Sequence, residues 1–169
     1  METNGKIRLL FICLGNICRS PAAHGIMQYI VDKAGQSDHY EIDSAGIGSW
    51  HVGELPDPRM RRLGSRHGYT FNHHARKFHV PNDFRYFDLI LVMDEENFRK
   101  INRQAKTTEE MAKIQRLSDY MTHHPEQHTI PDPYYYGPEA FELAIELIED
   151  GCLGLFHHLE SARKQEWKS

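Results

Sequence analysis

The chain has 169 residues, of which 40% are apolar and 26% are charged, and its formal net charge is −4. This length and composition indicate a single globular domain over residues 1–169. The slightly negative charge and the lack of a long apolar run argue against a nucleic-acid partner and against insertion into a membrane. Three cysteines do not make a disulfide framework, so we expect a reducing compartment, the cytoplasm. We also expect a monomer.

The first half of the chain predicts alternating strands and helices. Residues 6–13 form a short apolar run that indicates a buried strand, and a loop over 14–19 follows it. Ser20 and Pro21 predict the cap and first turn of a helix that ends at Gly35. A second strand is predicted over 40–44, and a second helix from Asp57-Pro58 to about 67–68.

The second half continues the alternation. Residues 88–93 are almost continuously apolar, which is typical of a strand buried on both faces, and Asp94 is predicted to cap a helix through 103. A short strand at 114–117, a Pro/Tyr/Gly-rich loop at 131–138 and a long amphipathic helix at 139–164 follow, with Gly151 and Gly154 weakening that helix. The fold class is therefore α/β, a three-layer α/β/α arrangement around a central four-stranded parallel sheet.

The loop between the first strand and the first helix carries the chemistry. Its residues 13–20 read Cys-Leu-Gly-Asn-Ile-Cys-Arg-Ser. Ligands of open α/β sheets bind at the carboxyl ends of the strands, where inward-pointing N–H groups and a helix N-terminus favour an anion. Gly15 is expected to supply a backbone conformation closed to other residues, and Asn16 tolerates a left-handed one. These features predict a phosphate loop.

Two side chains of this loop indicate covalent phosphate chemistry. Arg19 presents a planar fork of donors that matches two phosphate oxygens. The same positive surroundings favour the thiolate form of Cys13, which would lie beneath the phosphorus. The Cys-x5-Arg spacing alone is a weak signal, and a buried cysteine near a surface arginine is the alternative. The strand–loop–helix context makes the phosphate-loop interpretation the stronger one.

The loop and the following Pro21 resemble the phosphate loop of the low-molecular-weight protein tyrosine phosphatase family at every position. The resemblance continues through Asp-Ser-Ala at 43–45, Met-Asp-Glu at 93–95 and Asp-Pro-Tyr-Tyr at 132–135, and it covers essentially the whole chain. It implies a hydrolase that cleaves phosphotyrosine and aryl phosphates through a cysteinyl-phosphate intermediate, with no metal and no cofactor. The implied partner is a phosphotyrosine-containing protein, such as a bacterial tyrosine kinase.

The resemblance also assigns roles to single residues. Cys13 is the nucleophile, Arg19 the phosphate ligand and Asp132 the general acid and then general base, although an Asp between prolines is by itself more often a turn former. Tyr134 and Tyr135 form an aromatic wall, with Trp50 opposite it or packed in the core. The residues expected to bind substrate are Leu14, Gly15, Asn16, Ile17, Cys18, Ser20, Trp50, Tyr134 and Tyr135.

Further residues are assigned to support and protection by the same resemblance. Asn16, Ser44 and His73 are expected to hold the phosphate loop in shape, although the nearby His67 and His74 are alternatives to His73. Cys18 is expected to trap an oxidised Cys13 as a disulfide. The third cysteine, Cys152, is expected to be structural.

The sequence departs from the family pattern at two positions. Tyr136 replaces a small glycine and is expected to narrow or reshape the mouth of the pocket. His24 stands where an acidic residue is common, and we expect it on a helix face past the site, with little effect.

Bacterial arginine phosphatases that resemble the family carry threonine at the position of Ile17, so isoleucine favours phosphotyrosine. A basic cluster formed by Arg59, Arg61, Arg62 and Arg66 is either a recognition surface for acidic residues or, as we favour, a solvated face.

Three other functions are weaker interpretations. A thiol-dependent arsenate reductase needs further cysteines on a mobile segment, and residues 79–89 have none. A non-catalytic phosphate-binding module would be expected to have lost Cys13, Arg19 or Asp132. A histidine-dependent metal protein would suit the twelve histidines, but they are scattered without zinc-binding spacing, so we predict no metal site.

Overall fold

A computed structural model describes residues 5–168, and their side chains up to residue 165. Its centre is a four-stranded, all-parallel sheet with the strand order β2-β1-β3-β4. The strands are β1 (Ile7–Cys13), β2 (Tyr40–Gly46), β3 (Leu89–Val92) and β4 (Ile114–Arg116). The helices are α1 (Arg19–Lys33), α2 (Pro58–Arg66), α3 (Asn82–Tyr86), α4 (Glu95–Gln104), α5 (Thr108–Lys113) and α6 (Pro138–Lys168).

Strand β1 is buried on both faces, as its apolar sequence predicts. Leu9 and Phe11 belong to the core beneath α1 and α6, whereas Leu10 and Ile12 belong to the core beneath α3 and α4. Because successive strand residues point to opposite faces, this alternation places helices on both sides of the sheet. The predicted α/β class with a four-stranded parallel sheet is confirmed.

Several element boundaries differ from the prediction. Helix α1 begins at Arg19, so Ser20 lies inside its first turn and is not its cap, which leaves the Ser20 hydroxyl free to serve the neighbouring loop. Asp94 does cap α4, since its Oδ1 accepts a 2.7 Å hydrogen bond from Asn97 N. The short helices α3 and α5 were not predicted, because five or six residues carry too little periodicity to reveal a helix.

The two glycines of α6 allow the polypeptide chain to approach the helix closely. A Cβ atom at Gly154 would collide with the carbonyl oxygen of Tyr120, and one at Gly151 would lie 2.8 Å from Leu117 Cγ. Leu117 and Tyr120 bound the 3₁₀ turn that follows β4. The prediction that these glycines weaken the helix therefore misses their packing role. None of the described helices contains an apolar stretch that could cross a bilayer.

Candidate active site

A cavity of about 280 Å³ opens at the carboxyl end of β1. Its lining combines the loop after β1 with side chains from two other loops: Cys13, Leu14, Gly15, Ile17, Cys18, Arg19, Trp50, His51, Asp132, Tyr134 and Tyr135. The parallel sheet explains the position, because β1 is a central strand and its carboxyl end meets the loops that follow its neighbours. The structure thus brings ten of the twelve predicted catalytic and substrate-binding residues into the lining of one cavity, together with His51, which was not predicted.

The phosphate loop is held by its own polar side chains. Asn16 adopts a left-handed conformation with φ of +58°, whereas Gly15 does not, so the expectation for Gly15 was wrong. Gly15 instead leaves room for a neighbouring ring, because a Cβ atom there would lie 3.1 Å from His51 Cδ2 and the ring would have to shift slightly. Asn16 is fully buried and joins the loop to a distant segment, since its Oδ1 accepts a 3.0 Å hydrogen bond from Arg76 N.

A relay of hydrogen bonds leads from Asn16 to the sulfur of Cys13. Asn16 Nδ2 donates to Ser20 Oγ at 2.7 Å, and Ser20 Oγ lies 3.0 Å from Cys13 Sγ. Because Ser20 accepts from Asn16, its own hydroxyl hydrogen is available to donate to a thiolate at Cys13. Asn16 and Ser20 lie outside the cavity lining, so their side chains act from behind the loop and only their backbone could reach a ligand.

Arg19 is buried and held firmly on one side of its guanidinium. Its Nη1 donates to Asp94 Oδ2 at 2.7 Å and to the carbonyl oxygen of Ile130 at 2.8 Å. Burial alone would lower the pKa of Arg19, but the negative charges of Cys13 and Asp94 raise it, so the side chain stays charged. Its Nε is buried without a partner among the described residues. Nε and Nη2 form the fork that matches two oxygens of a phosphate.

Asp94 is a site residue that the sequence interpretation did not assign. The Asp94 carboxylate makes two contacts: Oδ1 caps α4, and Oδ2 accepts a hydrogen bond from Arg19 Nη1. The sequence did carry a signal, because Asp94 follows β3, which pairs directly with β1 in the sheet. A capping residue at that edge lies next to the loop that follows β1.

Asp132 lies across the cavity from the phosphate loop, with its side chain 36% exposed. Its Oδ1 accepts a 3.1 Å hydrogen bond from Tyr134 N, and its Oδ2 lies 3.6 Å from Arg19 Nη2. The contact with Tyr134 N orients the carboxyl group at the cavity, and the side chain is partly exposed to solvent. This position suits a group that exchanges protons with a leaving group and with water.

Aromatic side chains form the mouth of the cavity. Trp50 is 67% exposed and Tyr135 is 87% exposed, so the alternative that Trp50 packs in the core is wrong. The rings of Tyr134 and Tyr135 pack edge to face with centroids 4.9 Å apart. Tyr136 is 68% exposed and lies outside the cavity lining, so the expectation that it narrows the mouth is not met in this structure.

Two residues that were not predicted position this aromatic wall. His51 lies between the wall and the loop, with its ring 6.2 Å from that of Tyr134. Arg59 donates to the carbonyl oxygen of Tyr134 at 3.0 Å and lies over the rings of Tyr134 and Phe141. It is also paired with Asp57, the cap of α2. Arg59 therefore contacts the aromatic wall while its side chain remains exposed to solvent, as the favoured interpretation of a solvated basic face expects.

Cys18 differs electrostatically from Cys13, although both line the cavity. Burial, together with the charge of Cys13, raises the pKa of the Cys18 thiol. Cys18 therefore stays protonated at neutral pH. All three cysteines of the described chain are free and buried, and Cys152 lies in α6 with its Sγ 3.8 Å from the carbonyl oxygen of Ala23.

Ser44 and His73 lie beside the phosphate loop but contact it indirectly. Ser44 Oγ lies 3.2 Å from His24 Nδ1, and His73 Nδ1 lies 3.7 Å from Asp43 Oδ1. Asp43 in turn accepts a hydrogen bond from Arg76, whose backbone N–H reaches Asn16. Any support that Ser44 and His73 give to the loop therefore passes through this second layer.

Comparisons with known proteins point to one family. Residues 8–165 match the family model described as low molecular weight phosphotyrosine protein phosphatase. A relative with that name from Sus scrofa is 42% identical over 145 residues, which is 85% of this chain and 90% of the relative. A protein tyrosine phosphatase from Entamoeba histolytica, solved with Hepes in its active site, has a TM-score of 0.89 at 37% identity and covers 94% of this chain and 99% of its own. The arginine phosphatase of Drosophila has a TM-score of 0.84 at 35% identity, covering 90% of this chain and 98% of its own.

Proposed function

Since the chain belongs to the low molecular weight phosphotyrosine protein phosphatase family and is a protein-tyrosine phosphatase, we propose that Cys13, Arg19 and Asp132 carry out its reaction. One observation carries the proposal. The three side chains line a single cavity, and the buried Nε of Arg19 has no partner among the described residues. A bound phosphate would supply that missing acceptor, since a buried donor without a partner costs about 1–3 kcal/mol.

In the first step the thiolate of Cys13 attacks the phosphorus of the bound monoester. An S–P bond forms and the P–O bond to the leaving phenol breaks. The Nε–Nη2 fork of Arg19 and the N–H groups of the loop hold the non-bridging oxygens as their charge redistributes. Protonated Asp132 gives its proton to the phenol oxygen, because a phenol with a pKa near 10 is a poor leaving group as an anion.

In the second step water releases the phosphoryl group from the enzyme. Asp132, now a carboxylate, takes a proton from the water, whose oxygen forms a bond to phosphorus while the S–P bond breaks. The departing thiolate of Cys13 is stabilised by the hydroxyl of Ser20, 3.0 Å away. Inorganic phosphate leaves, and the enzyme returns to its starting state with no metal taking part.

For the leaving group, phosphotyrosine is favoured over phosphoarginine by the character of the cavity walls. Ile17 and Leu14 present apolar surface beside the loop, and Tyr134 and Tyr135 offer ring faces for an aryl group to pack on. A protonated guanidine would gain from a polar partner at position 17, and Ile17 offers none. The similarity to the Drosophila arginine phosphatase keeps phosphoarginine as the second candidate substrate.

The setting that we propose follows from the same chemistry. A thiolate nucleophile and three free cysteines are compatible with a reducing cytoplasm. We also propose a monomer whose substrate is a phosphotyrosine-containing protein, such as an autophosphorylated bacterial tyrosine kinase.

Hydrolysis assays with and without EDTA test this proposal. We expect wild type to hydrolyse p-nitrophenyl phosphate at the same rate with and without EDTA. We expect Cys13→Ser not to hydrolyse it at all. We expect a phosphotyrosine peptide to be hydrolysed far faster than a matched phosphoarginine peptide, and Ile17→Thr to narrow that ratio. Wild-type-like activity in Cys13→Ser would contradict the nucleophile, and a preference for phosphoarginine would favour the second substrate.

A further inference from the structure

Behind the phosphate loop, three potential metal ligands from separate segments lie together. They are His24 of α1, Asp43 of β2 and His73 of the segment after α2. Each offers one ligand atom, and these atoms all lie within 4.8 Å of one another. The sequence interpretation predicted no metal site, because 19 and 30 residues separate these positions and no local spacing reveals them.

We propose that His24, Asp43 and His73 form a binding site for a divalent transition-metal ion of the zinc type, separate from the catalytic cavity. Two imidazoles and one carboxylate are a donor set that zinc uses in proteins, with a water molecule as the fourth ligand. Magnesium and calcium prefer all-oxygen sites, so this donor set selects against them.

One ring nitrogen of the cluster is unpaired. His73 Nε2 is buried and has no hydrogen-bond partner among the described residues. Two other polar atoms of the cluster contact Ser44. Asp43 Oδ1 accepts a hydrogen bond from Ser44 N at 2.8 Å, and His24 Nδ1 lies 3.2 Å from Ser44 Oγ. An ion bound at Nε2 would satisfy this nitrogen of His73, whereas an ion bound at Nδ1, the nitrogen that faces Asp43, would leave it unpaired.

Asp43 belongs to an ion-pair network next to the cluster. Arg76 pairs with both Asp43 and Asp83 at 3.0–3.1 Å. The two carboxylates and the one guanidinium together carry one negative charge. Asp43 can serve both neighbours because Arg76 occupies Oδ2, while Oδ1 lies towards His73.

The geometry requires only small side-chain adjustments. Zinc–ligand bonds of about 2.0–2.1 Å in a tetrahedron place ligand atoms about 3.3 Å apart. His73 Nδ1 and Asp43 Oδ1 are already 3.7 Å apart, and the two imidazole rings lie with centroids 5.0 Å apart. A cavity of about 270 Å³ lined by His24 and His73 gives an ion access, with Asp32 also in its lining.

Isothermal titration of the full, EDTA-stripped and dialysed chain with Zn²⁺ tests the site. We expect wild type to bind one Zn²⁺ at this site, and His24→Gln and His73→Gln each to weaken it by about tenfold or more. His74→Gln is the matched control, because His74 is the exposed neighbour of His73 and lies outside the cluster. Its binding should equal that of wild type, and a large excess of Mg²⁺ should not compete.

The catalytic thiolate is the competing zinc ligand, and Cys13→Ser separates it from the cluster. Zinc binding that survives Cys13→Ser but is weakened in His73→Gln supports the proposal. Binding lost in Cys13→Ser and unchanged in both cluster variants overturns it.

An NMR titration of the chain without cluster variants also tests the site. Stoichiometric Zn²⁺ should shift the imidazole NMR signals of His24 and His73 in the otherwise native chain, and the proposal is wrong if those two signals do not move.

Discussion

Arg19 Nη1 and Asp94 Oδ2 lie 2.7 Å apart, so the arginine that we propose to bind phosphate is fixed by the residue that caps the helix after β3. The two positions are 75 residues apart in the chain, but β1 and β3 are paired neighbours in the sheet. The ion pair occupies one end of the guanidinium and leaves Nε and Nη2 for phosphate. Asp94 thus holds the guanidinium of Arg19 in one orientation, so that it is preorganised to bind an oxyanion.

Replacing Asp94 by asparagine should impair catalysis without unfolding α4. Asparagine caps helices as well as aspartate does, so Asp94→Asn removes the charge and keeps the cap. We expect kcat/KM for p-nitrophenyl phosphate to fall roughly 10- to 100-fold, as for the loss of a charge-assisted hydrogen bond worth about 1.5–3 kcal/mol. Competitive inhibition by inorganic phosphate should weaken in parallel.

The neighbouring Glu95 provides the matched control for this change. Its exposed carboxylate pairs with Arg116 at the surface, away from the cavity. Glu95→Gln should leave kcat/KM unchanged, because exposed ion pairs contribute little. A similar loss in both variants would mean that Asp94 acts through general charge and not through Arg19.

The effect of removing Asp132 should depend on the leaving group. A general acid contributes about 10²–10⁴-fold when the leaving group needs a proton, and much less when the anion is stable. We therefore expect Asp132→Ala to slow phenyl phosphate far more than p-nitrophenyl phosphate. The measurement is kcat for a series of aryl phosphates against the pKa of the phenol. Parallel lines for wild type and variant would rule out Asp132 as the acid.

Cys18 should protect the enzyme from oxidation without serving in turnover. Its thiol has a raised pKa from burial and from the charge of Cys13, so Cys18→Ser should keep most of the phosphatase activity. After brief treatment with hydrogen peroxide, dithiothreitol should restore wild type more fully than Cys18→Ser. The reason is that a disulfide returns to thiols, whereas sulfinic acid does not. Equal recovery would remove the protective role from Cys18.

Much of this site could be predicted from sequence because its core is local. Cys13, the loop and Arg19 are consecutive, and the apolar run before them fixes the strand that presents them. The same reasoning failed where function depends on an approach between distant segments. Nothing near Gly15 shows that His51 will lie against it. Asp94 follows a predicted strand, but the sequence does not display the pairing of that strand with β1, which brings Asp94 to Arg19.

Local rules also misassigned residues whose usual role was taken by another. Ser20 has the sequence of a helix cap, but α1 starts one residue earlier and the hydroxyl contacts Cys13. Gly154 has the sequence of a weak helix position, but its missing side chain admits the carbonyl of Tyr120. In both cases a tertiary contact decides the role, and a single sequence does not display it.

Away from the site, His124 should make the stability of the fold depend on pH. Its Nδ1 lies 2.9 Å from Asp150 Oδ2, and that hydrogen bond, with further help from Glu146, raises the pKa of His124 above its usual 6.5. A group with a raised folded-state pKa stabilises the fold fully below its unfolded pKa, and this contribution disappears as pH rises through the folded value. Urea unfolding should therefore give a larger stability difference between wild type and His124→Gln at pH 5.5 than at pH 8.5.

His128 provides the control for that comparison, because it is exposed on the same loop. His128→Gln should show the pH dependence of wild type. A His124→Gln effect that is equal at both pH values would mean that only the neutral hydrogen bond matters. An effect that grows with pH would contradict the assigned direction of the pKa shift.

An acid-quenched intact mass measurement shows whether the phosphoryl group passes through Cys13. In Asp132→Ala, p-nitrophenyl phosphate still phosphorylates the enzyme, since its leaving group needs little help, while hydrolysis of the intermediate lacks its base. We expect Asp132→Ala to be heavier by one phosphoryl group, with the added mass mapped to Cys13. The double variant Cys13→Ser/Asp132→Ala should lack this added mass. Turnover without any adduct, or an adduct on another residue, would contradict it.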